Sequence, residues 1–197
     1  MVALTTGLIL KVILGVKTYG EERIPSRGPF IIAANHNSFF DPPLIGSLFP
    51  LEMAFAAKKE LFSIPIFGRF IAYLNSIPVD RNKMDLASMK AIIRSVTVDH
   101  KCLLIFPEGT RRKKNSSPQA KRGIGLIAHK TGVPIIPVYI HGTNRKLKAI
   151  FRLAPCFLYY GEPFTPEFQN DDKESSLNVA DQVLQRLELM RQKVVPV

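Results

Sequence analysis

Seven consecutive residues, Asn35-His36-Asn37-Ser38-Phe39-Phe40-Asp41, set an imidazole and a carboxylate five positions apart. Imidazole is the side chain that exchanges a proton near neutrality. A carboxylate on one ring nitrogen fixes its tautomer and leaves the other nitrogen free as a base. Taken alone, the pair reads more readily as a structural histidine beside a helix-capping aspartate. A second stretch is Phe106-Pro107-Glu108-Gly109-Thr110-Arg111-Arg112. Its glycine admits close approach of a ligand to the backbone, and its arginine offers a planar fork for phosphate. The plainer reading of Arg111–Lys114 is a solvated charge run.

Other patterns do not support chemistry. Gly123-Ile124-Gly125-Leu126-Ile127-Ala128 spells a dinucleotide fingerprint, but it follows Lys121-Arg122 rather than an apolar strand. No acidic residue follows before Glu162 to hold a ribose, so the match is accidental. No Walker A loop, G-x-S-x-G elbow, H-E-x-x-H or paired C-x-x-C occurs, so neither ordinary NTP hydrolysis nor a metal is expected. The two cysteines, Cys102 and Cys156, lie in apolar runs. They exclude a disulfide-built scaffold and fit a reducing compartment.

Both chemical stretches follow compact apolar runs, Phe30–Ala34 and Cys102–Phe106, which read as buried strands. Asp41-Pro42-Pro43 reads as a helix start, with Asp41 as N-cap and proline in the first turn. Further strands are expected at Met53–Ala57, at Ile135–Ile140 and at Phe157–Tyr160, and Ile77-Pro78-Val79 reads as the end of another. Helical spacing marks residues 83–98 and an amphipathic C-terminal helix over 176–193. Alternating strands and helices in 197 residues predict one α/β domain, a central mostly parallel or mixed sheet flanked by helices. Both stretches should then emerge at the sheet edge where α/β folds bind ligands.

Residues 1–16 are apolar apart from Thr5, Thr6 and Lys11. As a helix they span about 24 Å, short of a ~30 Å hydrocarbon core. Nine Leu, Ile or Val contribute roughly −3 to −5 kcal/mol to insertion, and Lys11 costs about 2.5 to 3.5. The near-zero sum predicts a helix lying in a bilayer surface, with Lys11 and Lys17 snorkelling. The division expected is a 1–17 anchor and an 18–197 domain. A signal peptide would need a basic start and a cleavage site that are absent, and a plain core helix is the bland alternative.

Charge is unevenly spread. Residues 1–108 carry 12 basic and 9 acidic side chains, 109–161 carry 11 and none, and 162–197 carry 4 and 7. The middle segment therefore supplies the whole +11 excess, and such a field favours a polyanion: a phosphorylated ligand, an anionic membrane or nucleic acid. Scarce aromatics in that segment, and no Trp in the chain, count against nucleic acid.

Together the motifs resemble the PlsC-like lysophosphatidic acid acyltransferase (1-acyl-sn-glycerol-3-phosphate acyltransferase) family. Its N-H-x-S-x-x-D block is present as Asn35, His36, Ser38 and Asp41. A second block runs from Lys58-Lys59-Glu60-Leu61 through Ile64-Pro65-Ile66-Phe67-Gly68 and is followed by Ile77-Pro78-Val79-Asp80-Arg81. The third is Phe106-Pro107-Glu108-Gly109-Thr110-Arg111, and the fourth Val133-Pro134-Ile135-Ile136-Pro137-Val138. They stand in family order over residues 18 to about 162.

The resemblance implies a glycerol-3-phosphate acyltransferase-like fold and direct acyl transfer from a thioester to a glycerolipid hydroxyl. His36 would be the general base and Asp41 its partner. Glu108, Gly109, Thr110 and Arg111 would shape the acceptor site, and Lys58 would contact its phosphate; Lys59 and Arg81 are lesser candidates. The oxyanion is expected to meet backbone amides near Asn37–Ser38. Leu61, Phe62, Ile64, Ile66, Phe67, Phe70 and Ile71 either line an acyl groove or form plain core. The donor would be acyl-CoA or acyl carrier protein, with no metal or other cofactor. The acceptor would be lysophosphatidic acid, at the cytoplasmic face of the cell membrane. The remaining alternatives are another acceptor, such as a lysophospholipid or glycerol 3-phosphate, and a non-enzymatic binder of anionic membrane or nucleic acid.

Overall fold

The computed structural model describes residues 15–80, 85–109, 121–144, 156–168 and 173–194. Its strands are β1 (Lys17–Tyr19), β2 (Ile31–Ala34), β3 (Met53–Lys58), β4 (Ser76–Val79), β5 (Cys102–Ile105), β6 (Ile135–His141) and β7 (Phe157–Tyr160). The α-helices are α1 (Asp41–Leu48), α2 (Phe67–Tyr73), α3 (Leu86–Thr97), α4 (Gly123–Thr131) and α5 (Lys173–Val194). One sheet takes the order β1-β7-β6-β2-β5-β3-β4. The run from β6 to β4 is parallel throughout. β7 turns antiparallel to β6 and carries β1 parallel to itself, so the sheet is mixed.

The strand sequences explain the layering. All four residues of β2, Ile31-Ile32-Ala33-Ala34, are buried, as an unbroken apolar run requires of a strand covered on both faces. Alternation sends Ile31 and Ala33 into a core with Ile92 and Val96 of α3, Ile124 and Ile127 of α4, and Val179 and Val183 of α5. Ile32 and Ala34 join a second core with Leu44 and Ile45 of α1. Helix ends follow local chemistry. The Asp85 side chain accepts from Ser88 N at 2.6 Å to start α3, and Gly132, at φ 67, ends α4 in the left-handed conformation.

This topology creates the crevice. β2 and β5 are neighbours, yet β2 leads into α1 on one face while β5 leads on towards α4 on the other. A ligand crevice opens outside the carboxyl ends of adjacent parallel strands whose connections part in this way. The carboxyl ends of β6, β2, β5, β3 and β4 all lie along this one edge.

The expected strands and the three expected helices, at Asp41, over 83–98 and over 176–193, are found within a few residues of their anticipated bounds. β1, α2 and α4 were not anticipated. Asp41 is not an N-cap: α1 begins at Asp41 itself, after Phe40, with no side-chain cap. The fingerprint glycine Gly125 serves packing instead, because a Cβ there would strike the Ser176 carbonyl of α5. Most of the expected 1–17 anchor lies outside the described residues; among those described, no helix is long and apolar enough to cross a membrane.

Candidate active site

The turn leaving β2 is locked from both ends. The Asn35 amide donates to Ile140 O at 2.9 Å and accepts from Ile140 N at 2.7 Å, which splices the strand end onto β6. Asn37 Nδ2 donates to the same carbonyl at 3.1 Å. From that clamp the chain folds back so that one oxygen, Asp41 Oδ2, accepts three hydrogen bonds. They come from Asn37 N at 2.6 Å, Ser38 N at 2.7 Å and His36 Nδ1 at 2.9 Å. Asp41 is wholly buried and His36 nearly so. A buried carboxylate needs such donors to remain charged. Because Nδ1 carries the proton given to Asp41, Nε2 is the unprotonated nitrogen of neutral His36.

The residue that follows β5 completes the imidazole's setting. The Phe106 ring stacks on His36 with centroids 4.0 Å apart and planes 22° from parallel. Phe106 also opens the next turn, which Gly109 N closes on Phe106 O at 2.9 Å. Gly109 sits at φ 68, a backbone position that favours glycine. A Cβ there would meet the Lys121 side chain, Cδ at 2.6 Å. Lys121 N in turn donates to Pro107 O at 3.1 Å. The two ends of the basic 110–120 segment are thus joined at the carboxyl end of β5.

Beyond Phe106 lies a cleft of about 420 Å³ between the sheet and α3–α4, lined by Ala56, Val79, Met89, Ile105, Ile124 and Ile127 among others. Its charged lining is Asp80, Lys121 and Arg122. Phe106 lines this cleft and stacks on His36, whose own ring is not part of the lining. An unprotonated imidazole nitrogen can take a proton from a hydroxyl, and an apolar cleft with cations at its wall suits a ligand that is part lipid and part anion. Burial pushes both thiols, Cys102 and Cys156, up to about 11, with the nearby Asp41 charge adding to the shift at Cys156. Neither is a thiolate near neutrality, so neither is the nucleophile.

The structure brings His36, Asp41, Glu108 and Gly109 to one edge. Glu108 is buried in the β5 turn. Lys58 ends β3 on the same edge, half-exposed and paired with Glu60 Oε1 at 3.0 Å. Thr110, Arg111 and Arg81 lie outside the described residues. The Asn37 and Ser38 amides are taken by Asp41, so they do not form the oxyanion site expected of them. The 61–71 run is not plain core: Ile64, Ile66, Phe67 and Phe70 are exposed, and Ile71 alone of the seven is buried. Sequence reasoning missed Phe106 as the imidazole's platform and Lys121 as the cation over Gly109. The only signal for Lys121 was its place in a stretch without carboxylates, shared with the ten other basic residues of 109–161.

Comparison with known proteins gives a consistent picture. The family described as Acyltransferase matches residues 15–141. A Bacillus subtilis 1-acyl-sn-glycerol-3-phosphate acyltransferase is 33% identical over 159 residues, covering 78% of each chain. Proteins of the same name from Cocos nucifera and Saccharomyces cerevisiae are 35% and 30% identical, over 88% and 91% of this chain. The chain spans 57% and 62% of those two longer relatives. Among solved structures, the 1-acyl-sn-glycerophosphate acyltransferase PlsC from Thermotoga maritima superposes with TM-score 0.71 at 29% identity, covering 96% of this chain and 78% of that one.

Proposed function

The chain belongs to the acyltransferase family and is an O-acyltransferase; from that footing we propose that it acylates the sn-2 hydroxyl of 1-acylglycerol 3-phosphate to give phosphatidic acid, with acyl-CoA or acyl carrier protein as donor. The names of its relatives support the acceptor. The observation that carries the mechanism is His36, hydrogen-bonded through Nδ1 to a carboxylate that two backbone amides hold in place.

An alcohol is a weak nucleophile until its proton leaves. Nε2 of His36 takes that proton as the hydroxyl oxygen attacks the thioester carbonyl. The C–S bond then breaks, and the imidazolium returns its proton to the departing thiolate, leaving an ester and a free thiol. Asp41 stays ionised and stabilises the imidazolium between the two steps. The scheme needs no metal or further cofactor. A phosphate monoester carries about −1.5 to −2 charge at neutrality. Arg111 and Lys121 are the cations we assign to it, with Glu108 and Gly109 shaping the turn beneath and Thr110 and Lys58 as lesser contacts. We place the enzyme peripherally at the cytoplasmic membrane face, held by residues 1–17 and the basic middle segment.

The test is purified protein with a panel of lysolipids and both donor types. Lysophosphatidate is the preferred acceptor, and His36→Ala lowers kcat by about 10²–10⁴-fold, the usual worth of a general base. Transfer that survives in His36→Ala refutes the mechanism. Preference for an unphosphorylated acceptor refutes the substrate.

A further inference from the structure

Eleven large apolar side chains are exposed among the described residues, and five of them, Ile64, Ile66, Phe67, Phe70 and Tyr73, fall within residues 64–73. Phe39 and Phe40 add two more in the turn that leaves β2. The cluster begins just beyond the carboxyl end of β3, on the edge that holds His36. At its tip the Phe67 N–H donates to Pro65 O at 2.7 Å. That makes Ile66 the centre of a γ-turn with φ 65 and ψ −56, a backbone conformation that strains a β-branched residue. Gly68 locks the turn in place, since a Cβ there would collide with the Phe62 carbonyl. The Ile66 side chain is 83% exposed, so folding gains little from it and glycine would suit the backbone better.

Charge identifies the occupant. Lys59 and Arg69 are exposed beside this tip, and no ion pair is formed by either among the described residues. The one carboxylate of residues 58–75, Glu60, is held by Lys58. Lys59 has the Asp85 charge within electrostatic range, yet both cations remain exposed, and an apolar prominence flanked by exposed cations is complementary to an anionic lipid bilayer. We propose that residues 64–73 form a bilayer-docking prominence that inserts Ile66, Phe67 and Phe70 into the leaflet beside the catalytic edge. This rests on the lipid acceptor proposed above, because the hydroxyl of a bilayer-resident molecule must reach His36 at that edge.

The chain contains no tryptophan, so one introduced indole reports its own surroundings. In full-length Phe70→Trp, vesicles of phosphatidylcholine with phosphatidylglycerol shift emission to the blue, and brominated lipid quenches it. Leu189→Trp, exposed on α5, shows neither effect. Ile66→Gly weakens vesicle binding about tenfold, the worth of one buried aliphatic side chain, without lowering Tm. An indole at position 70 unmoved by vesicles overturns the proposal. So does one already blue and shielded without vesicles, which would mean that the chain itself or a second copy covers the face. If wild type acylates no acceptor while the indole inserts, the proposed reaction fails and the docking surface stands; the reverse result separates them the other way.

Discussion

The turns after β2 and β5 face the same crevice but are built in opposite ways. The β2 turn is mainly local: His36, Asn37 and Ser38 all donate to an oxygen no more than five residues ahead, and its distant hydrogen bonds are those of Asn35 and Asn37 to Ile140. The β5 turn depends on distant partners. Gly109 lies under the stem of Lys121, twelve residues on, and Phe106 reaches across to His36. Proton transfer demands a base fixed to within a fraction of an ångström before substrate arrives, and a buried local network supplies that. Holding an anion demands charge more than position, so exposed cations on long stems and a loop suffice. On the proposed mechanism, the contrast divides chemistry and recognition between the two strand ends.

Three experiments break or sharpen that division. The largest effect is expected in the β2 turn. Asp41→Asn keeps the size of the side chain but removes the charge that stabilises the imidazolium, and kcat falls about 10²–10⁴-fold with KM little changed. Asn35→Ala should act on stability instead, lowering it by about 1–3 kcal/mol through the orphaned Ile140 N–H, with a much smaller fall in kcat. Steady-state kinetics beside thermal melts separate the two. Equal kcat losses in both variants would mean that the clamp, not the charge, is what the base requires.

In the β5 region the effect is smaller and falls on KM. Lys121→Ala and Arg111→Ala each raise KM for lysophosphatidate about tenfold, one charge-assisted hydrogen bond partly screened by solvent. KM for the acyl donor, and transfer to an unphosphorylated monoacylglycerol, stay as in wild type. Matched losses with both substrates would place these cations at the donor instead.

The smallest effect concerns the thiols. Burial pushes them from an ordinary 9.0 up to about 11, so the native protein resists thiol reagents at pH 8 and transfer is unaffected, whereas the denatured chain reacts at both cysteines. Folded thiols stay protonated where unfolded ones ionise. Stability therefore declines as pH rises from about 9 towards 11, the window set by those two values. Rapid modification of native protein with loss of activity would contradict this placement.

Some of this was legible along the chain because the forces involved act along it. Unbroken apolar runs such as Ile31–Ala34 and Cys102–Ile105 have no alternative but to be buried strands. The His36–Asp41 pairing follows from a turn too short to keep the two apart. Helix α4 was obscured by its glycines, which lower helix propensity; Gly125 is needed only because α5 packs against it. Exposure of Ile66, Phe67 and Phe70 was equally hidden, since an apolar residue at a helical interval looks the same whether it faces a core or a membrane.

By itself, then, the sequence determined the α/β layering, the pairing of His36 with Asp41, and an excess of cations after residue 108. Those properties depend on residue type and on short-range spacing. Tertiary structure alone decided the sheet order that makes β2 and β5 neighbours, the stacking of Phe106 on His36, the seat of Lys121 over Gly109, and which apolar side chains of the described residues face outward. Each of these is a contact between segments far apart in the chain. Such contacts are selected by how whole layers pack, a property that no local stretch of residues encodes.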